Sequence, residues 1–302
     1  MKIVFFGTPD FAVPSLKKLL ESSHEVAAVV TAPDKERGRG RKVSFTPVKE
    51  FAIENALPVL QPENLKNGNF IAELKKINAD VFVVVAFRIL PSAVYTLPKY
   101  AFNLHGSLLP KYRGAAPIQW ALINGEKETG VTTFLLEKTV DTGNIILQKK
   151  IEISPDDDFG TLHDKLSLLG ADAVLETVEI LNDGNFEPLP QDDTAATKAP
   201  KITKDLARIN WHDDAEKIVN LVRGLSPFPA AFFESEGKIY KVYKARVADV
   251  ELSPGEVGRT KKELFVGAGK GAVEILEIRP EGRKRMTAEE FLRGYEIASA
   301  LL

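Results

Sequence analysis

The first 181 residues of this 302-residue chain alternate between short apolar runs and segments with helical periodicity. The apolar runs are rich in Val, Ile and Phe, and residues 79–86 are almost continuously apolar. A run of that kind predicts a strand buried on both faces, and strands that alternate with helices predict a parallel sheet. The pattern therefore predicts an α/β fold, with a Rossmann-like, open, mostly parallel sheet that carries helices on both faces.

The predicted strands of this part are residues 2–6, 25–31, 58–60, 79–86 and 101–105, and the predicted helices are residues 11–20, 48–55, 70–77, 114–124 and 159–181. Residues 131–136 and 145–153 are expected to extend the sheet in antiparallel orientation. Because the first turn, Gly7-Thr-Pro-Asp10, lacks the second and third glycines of a dinucleotide fingerprint, a nicotinamide site is not expected.

The periodicity ends after residue 187, where turn-forming residues predict a linker. Beyond it, short apolar runs at even spacing predict a small β domain between a helix near 215–221 and one at 288–298. We therefore expect an α/β domain over residues 1–187, a linker over 188–203 and a smaller C-terminal β-barrel domain over 204–302.

Composition excludes several classes of protein. The chain has no Cys, which rules out a disulfide framework, a thiolate nucleophile and a cysteine zinc site, and its four His show no spacing typical of metal ligands. No metal is therefore expected. A net charge of −2 means that any contact with nucleic acid must come from local basic patches. The chain shows neither a leader pattern nor a membrane-spanning run, so we expect a cytoplasmic protein with no membrane partner.

The candidate active site lies where residues 101–105 end. Asn103 and His105 share one face of that strand, and Asp141 follows after about one crossover unit. Asn can donate to an oxyanion, His can move a proton near neutral pH, and Asp can orient that His. These residue types suit acyl transfer, although an Asn-x-His pair alone is also typical of a capping Asn and a core His.

Three longer motifs accompany this pair: FGTPDFAVPSL from Phe6, SLLPKYRGAAPIQWA from Ser107 and VDTG from Val140. With these motifs, nearly the whole chain resembles the methionyl-tRNA formyltransferase family. Members formylate initiator Met-tRNA with 10-formyltetrahydrofolate as co-substrate. The resemblance implies a catalytic trio of Asn103, His105 and Asp141, and an OB-like C-terminal barrel that binds tRNA.

The resemblance also implies that the folate site is lined by the loop Ser107, Leu108, Leu109 and Pro110. From composition alone, this apolar loop would be a strand-end cap. The end of the run Val84 to Leu90 is expected to supply further groups to the pterin. Asn144 departs from the family pattern, which has an acidic residue after Asp-Thr-Gly.

A compact basic run lies within the loop 32–46 and comprises Arg37, Arg39, Arg41 and Lys42. Its glycines would let the backbone conform to phosphates, and the resemblance makes it the loop that contacts tRNA, with Arg39 at its centre. A solvated surface loop is the alternative.

Two alternative functions remain at this point. The first is formyl transfer to a small amine, such as glycinamide ribonucleotide or an amino-sugar nucleotide. The second is a non-catalytic RNA-binding protein on a formyltransferase scaffold. We expect a monomer, and the sequence leaves open whether His105 or Asp141 is the ultimate base.

Overall fold

The structure is a computed structural model and describes residues 1–37 and 42–301. The chain forms two compact units that are not contiguous in sequence. The first unit contains Met1–Gly114, Thr129–Ile151 and His163–Lys198. The second contains Ala115–Glu128, Glu152–Leu162 and Ala199–Leu302.

The strands in chain order are β1 (Lys2–Gly7), β2 (Glu25–Val30), β3 (Lys35–Arg37), β4 (Lys42–Ser44), β5 (Val59–Leu60), β6 (Val81–Val85), β7 (Tyr100–His105), β8 (Arg113–Gly114), β9 (Glu128–Leu135), β10 (Ile145–Glu152), β11 (Lys198–Ala199), β12 (Ala231–Ser235), β13 (Lys238–Ala248), β14 (Val257–Arg259), β15 (Leu264–Gly267), β16 (Ala272–Pro280) and β17 (Met286–Thr287). The helices are α1 (Val13–Leu20), α2 (Pro47–Glu54), α3 (Gly68–Ile77), α4 (Ser92–Tyr95), α5 (Pro117–Ile123), α6 (Phe159–Asp183), α7 (Ala215–Leu225) and α8 (Ala288–Gly294).

The first unit is built on a seven-stranded sheet in the order β10-β9-β7-β6-β1-β2-β5. The ladders β7-β6-β1-β2-β5 are parallel, and β9 joins β7 in antiparallel orientation. The strand order reverses at β1, and open α/β sheets bind ligands beyond the carboxyl ends of strands near such a point. The loops that follow β1, β6 and β7 share this edge.

Burial explains why the central strands read as apolar runs. All five residues of β6 are buried, as are Ile3, Val4, Phe5 and Phe6 of β1, since both sheet faces are covered. The predicted strands and the long helix α6 are confirmed. The loop over residues 32–46 contains the short antiparallel pair β3–β4, which the sequence analysis did not predict.

The second unit has an antiparallel sheet in the order β12-β13-β16-β15-β14, with β17 paired to β16. Its core contains a row of four aromatic rings, each in contact with the next at centroid distances of 5.3–6.0 Å: Trp211, Phe233, Tyr240 and Phe291. The predicted antiparallel β domain at the C-terminal end is thus confirmed. In the described residues no helix is long and apolar enough to cross a membrane.

Candidate active site

The candidate site lies at the carboxyl end of β7, two strands from the reversal of the strand order at β1. His105 is the last residue of β7, and Asn103 lies two residues earlier, so both side chains project from the same face. Asn103 is opposite Phe134 in the β7–β9 ladder, and His105 is opposite Thr132. The predicted position of the pair at a strand end agrees with this geometry.

The imidazole of His105 is buried and oriented by the backbone. Its Nε2 lies 2.8 Å from the carbonyl oxygen of Tyr112. A carbonyl can only accept a hydrogen bond, so Nε2 carries the hydrogen and donates. In the neutral ring, the lone pair is therefore on Nδ1.

The free nitrogen of His105 faces a carboxylate. Its Nδ1 lies 4.0 Å from Oδ2 of Asp141, and the two side chains are only 7% and 11% exposed. The same Oδ2 accepts a hydrogen bond of 2.9 Å from the backbone N–H of Gly114. The structure thus brings together His105 and Asp141, which are 36 positions apart in sequence, as the sequence analysis expected.

The side-chain amide of Asn103 is uncommitted. It is partly exposed, and no group in the described part of the chain forms a hydrogen bond with it. An amide that has no internal partner can donate both of its N–H groups to a ligand.

Two residues at the site have a left-handed backbone without being glycine. Tyr112 has a φ of 63° and Asp141 a φ of 57°. This region costs a non-glycine residue about 1–3 kcal/mol and persists only where the surroundings enforce it. The two strained residues are therefore the one whose carbonyl orients His105 and the one whose carboxylate faces it.

Glycine is required at the third position of the Asp-Thr-Gly motif. A Cβ on Gly143 would lie 1.7 Å from the carbonyl oxygen of Leu135, far inside any allowed contact. The turn that carries Asp141 therefore packs directly on the end of β9.

The loop 107–110 divides into buried and accessible residues. Ser107 is fully buried, and its hydroxyl donates to the carbonyl of Lys111 at 2.6 Å. Leu109 is 3% exposed, and its carbonyl accepts from Gln148 Nε2 at 2.8 Å. Leu108 and Pro110 keep partial exposure. The first pair shapes the loop, and the second pair is available to a ligand.

The loop after β6 adds an apolar surface at the same edge of the sheet. Ala86 has a left-handed backbone, with a φ of 47°, and Ile89 is 74% exposed. The guanidinium of Arg88 donates to the carbonyls of Pro62 and Glu63, at 2.7 and 3.0 Å, which holds the loop in place.

Only the two ends of the basic run, Arg37 and Lys42, belong to the described residues. Arg39 and Arg41 are outside the described residues. Arg37 ends β3 and Lys42 begins β4, and the backbones of these two residues are paired in the antiparallel β3–β4 ladder.

The second unit contains a separate cavity of about 550 Å³. Its wall is mostly apolar and includes Phe228, which is 73% exposed, and the rim carries Lys201, Lys204 and Lys241. In the described part of the chain none of these lysines pairs with a carboxylate. Burial and the nearby charge of Arg279 lower the pKa of Lys241. The rim of the cavity thus carries basic groups that no ion pair within the described residues neutralises.

No cluster of His, Cys, Asp and Glu that could hold a metal occurs among residues 1–37 and 42–301. The site described above consists of a proton acceptor, a carboxylate and an amide donor at one strand end. That set of groups can stabilise an oxyanion and move a proton without a covalent enzyme intermediate.

Comparison with known proteins identifies the class. A family model described as formyl transferase matches residues 1–178, and one described as formyl transferase, C-terminal domain, matches residues 201–296. The fold, the site and both matches define a formyl transferase. A protein named methionyl-tRNA formyltransferase, from Caldanaerobacter subterraneus subsp. tengcongensis, is 52% identical over 302 residues, which cover 98% of each chain. The chain belongs to the methionyl-tRNA formyltransferase family, so the resemblance seen in its motifs is confirmed.

Solved structures share the fold at lower identity. HypX from Aquifex aeolicus, in complex with tetrahydrofolic acid, has a TM-score of 0.67 and 21% identity over the full chain, which spans 50% of that protein's length. WlaRD, a sugar 3N-formyl transferase solved in the presence of dTDP and 5-N-formyl-THF, has a TM-score of 0.70 and 20% identity. That match covers 94% of this chain and 99% of WlaRD.

Proposed function

We propose that this protein transfers the formyl group of 10-formyltetrahydrofolate to the α-amino group of methionine on initiator Met-tRNA. The observation that carries the proposal is the facing pair of His105 and Asp141 beside the uncommitted amide of Asn103. The full-length identity of 52% to a methionyl-tRNA formyltransferase supports the choice of acceptor.

The three side chains have separate roles in the proposed reaction. The methionyl amine attacks the formyl carbon, and the electrons of the C=O bond move to its oxygen, where the Asn103 amide donates a hydrogen bond. Nδ1 of His105 accepts the proton from the amine, because Nε2 already donates to Tyr112. Asp141 stabilises the resulting imidazolium. The C=O bond then re-forms as the bond from the formyl carbon to N10 breaks, and N10 receives the proton from the His105 imidazolium.

The residues present fit a folate. A pterin needs a largely apolar slot with a few polar groups, and the partly exposed Leu108 and Pro110 lie on the loop that directly follows β7. The exposed Ile89 adds an apolar side chain on the loop that follows the neighbouring strand. We propose that Ser107 and Leu109 shape the folate wall from inside, and that Leu108 and Pro110 contact the ligand.

The tRNA would be bound by two features. The loop with Arg37, Arg39, Arg41 and Lys42 is the proposed contact for the acceptor end. In the second unit, Lys241 and Arg279 are paired opposite each other on β13 and β16, and neither meets a carboxylate in the described residues. Like charges in direct cross-strand pairing repel, so they favour an anionic partner. We propose that residues 1–187 carry the catalytic groups, that residues 204–302 carry this second tRNA contact, and that residues 188–203 connect the two.

Formylation measured with three acceptors tests the acceptor class. Initiator Met-tRNA, free methionine and glycinamide ribonucleotide are each incubated with the enzyme and 10-formyltetrahydrofolate. We expect rapid formylation of Met-tRNA alone. Comparable kcat/KM for glycinamide ribonucleotide would instead support the small-amine alternative.

The proposed tRNA substrate also indicates a cellular location. Charged initiator tRNA is consumed where translation begins, so we propose a cytoplasmic location, and we propose that the protein acts as a monomer. Light scattering of the purified protein with and without tRNA tests whether it is a monomer.

A further inference from the structure

The segment between Gln191 and Thr197 makes a hydrogen-bond network with the active site that neither the motifs nor the comparisons assign. We infer that this segment, here called the clamp segment, positions both members of the catalytic pair. Gln191 holds Asp141, and Thr197 holds the carbonyl that orients His105. The inference rests on the proposed function, because it assigns a purpose to contacts around that site.

The side-chain amide of Gln191 is fully used. Its Nε2 donates to the carbonyls of Asp141 and Gly143, at 3.0 and 2.8 Å. Its Oε1 accepts from Nε and Nη2 of Arg113, at 3.1 and 2.8 Å. Two donors and two lone pairs are all that an amide offers, and arginine can only donate. The orientation of this amide is therefore determined, and it fixes both ends of the Asp-Thr-Gly turn.

Thr197 fixes the backbone that orients His105, the other member of the catalytic pair. Its Oγ1 accepts a hydrogen bond of 2.8 Å from the backbone N–H of Tyr112. Its carbonyl accepts from the N–H of Arg113 at 2.9 Å, and its own N–H donates to the carbonyl of Pro110 at 3.3 Å. Three bonds thus fix the backbone on both sides of the Tyr112 carbonyl to which His105 donates.

The hydrogen bonds of the clamp segment act on two residues whose backbone is strained. Tyr112 and Asp141 are left-handed residues that flank the site, and each is bonded by the clamp segment. A backbone relaxing toward an ordinary conformation would turn the Tyr112 carbonyl away from His105 or move the Asp141 carboxylate from its 4.0 Å separation. Misplacement of a reacting group by about 1 Å can cost about a hundredfold in rate.

The test compares matched substitutions along this segment. Thr197→Val removes the hydroxyl acceptor at constant shape, and Thr197→Ser retains it. Gln191→Ala removes all four bonds, whereas Gln191→Glu keeps the size and places a carboxylate oxygen against two carbonyls. Thr194→Val is the control, because the Thr194 hydroxyl donates only to Asp192 within the same segment.

We expect Thr197→Val, Gln191→Ala and Gln191→Glu to lower kcat by roughly 10- to 100-fold, with KM for both substrates within about twofold of the parent value. Thr197→Ser and Thr194→Val should keep the parent kcat. Thermal melting and a folate titration establish that each variant is folded, and the isosteric Gln191→Glu carries the test if Gln191→Ala does not fold.

The inference is overturned if the folded Thr197→Val and Gln191→Glu enzymes retain the parent kcat. It is also overturned if KM rises while kcat stays constant, or if Thr197→Ser loses as much activity as Thr197→Val. Failure of the proposed function is a separate result, because the parent enzyme would then formylate another amine, and the same kcat comparison would be made with that amine.

Discussion

At the residue scale, the chemistry depends on which atoms are already occupied by internal bonds. Alternation along a strand was enough to predict that Asn103 and His105 share a face. The partner of Nε2 was not predictable, because the carbonyl of Tyr112 reaches it only through a left-handed backbone that no local pattern indicates. Which nitrogen of His105 is free is therefore a result of the fold.

The uncommitted amide of Asn103 leads to the first prediction. We expect Asn103→Ala to lower kcat by about 100- to 1,000-fold, the usual loss when one oxyanion donor is removed. Melting temperature should be unchanged, because in the described residues the amide has no partner to lose. Steady-state formylation of Met-tRNA measures this. Asn69→Ala on α3 of the same unit is the control, and a near-parent kcat in Asn103→Ala would remove this residue from the mechanism.

Gly143 gives a second prediction at this scale. Gly143→Ala would force its Cβ against the Leu135 carbonyl, so we expect a loss of about 1–3 kcal/mol in unfolding free energy together with reduced activity. Gly68→Ala is the matched control, since nothing lies within 4 Å of a Cβ at this first residue of α3. Denaturant unfolding of both variants measures the unfolding free energy, which should fall in Gly143→Ala and not in Gly68→Ala.

At the element scale, the hairpin β3–β4 is fastened to the rest of the first unit at its base. The carboxylate of Asp34, just before β3, accepts hydrogen bonds from Lys49 Nζ at 2.5 Å and Gln61 Nε2 at 2.9 Å. The sequence analysis identified the basic loop but not its hairpin, because strands of three residues carry too little periodicity to be recognised.

The anchor at Asp34 leads to the third prediction. We expect Asp34→Ala to lower kcat/KM for Met-tRNA by about tenfold, because a loosened loop must be ordered on binding. The folate dissociation constant should not change. Asp172→Ala, which removes the Lys18–Asp172 ion pair elsewhere in the same unit, is the control. An equal loss in both variants would mean that the effect is not specific to the hairpin.

The same contact has a defined pH dependence. Hydrogen bonds from Lys49 and Gln61 lower the pKa of Asp34, so its folded carboxyl titrates below the ordinary value of 3.8. A lowered carboxyl pKa contributes stability that is complete above the unfolded value and is lost as pH falls through the folded one. The anchor should therefore be intact throughout the neutral range and release only in acid, which nuclear magnetic resonance titration of the carboxyl can follow.

At the scale of the whole molecule, sequence order and spatial organisation differ. The pattern of apolar runs along the chain predicted an α/β sheet followed by a small β sheet, and both sheets are present. It could not predict that α5, between residues 115 and 128, belongs to the same compact unit as α7, because that association joins segments about a hundred positions apart. A truncation near residue 203 would thus divide the second unit, so the roles of the parts are better tested in the full chain.

The last prediction concerns the cavity of the second unit. If its rim contacts tRNA phosphates, the double variant Lys201→Ala and Lys204→Ala should lower kcat/KM for Met-tRNA and reduce the slope of log kcat/KM against log salt by about one for each lost contact. Folate affinity should be unchanged, because every proposed catalytic and folate residue lies in the first unit. Lys75→Ala with Lys76→Ala, at two exposed positions of α3, removes the same charge from the first unit. If both double variants shift the salt slope equally, net charge alone explains the effect and the cavity is not a tRNA contact.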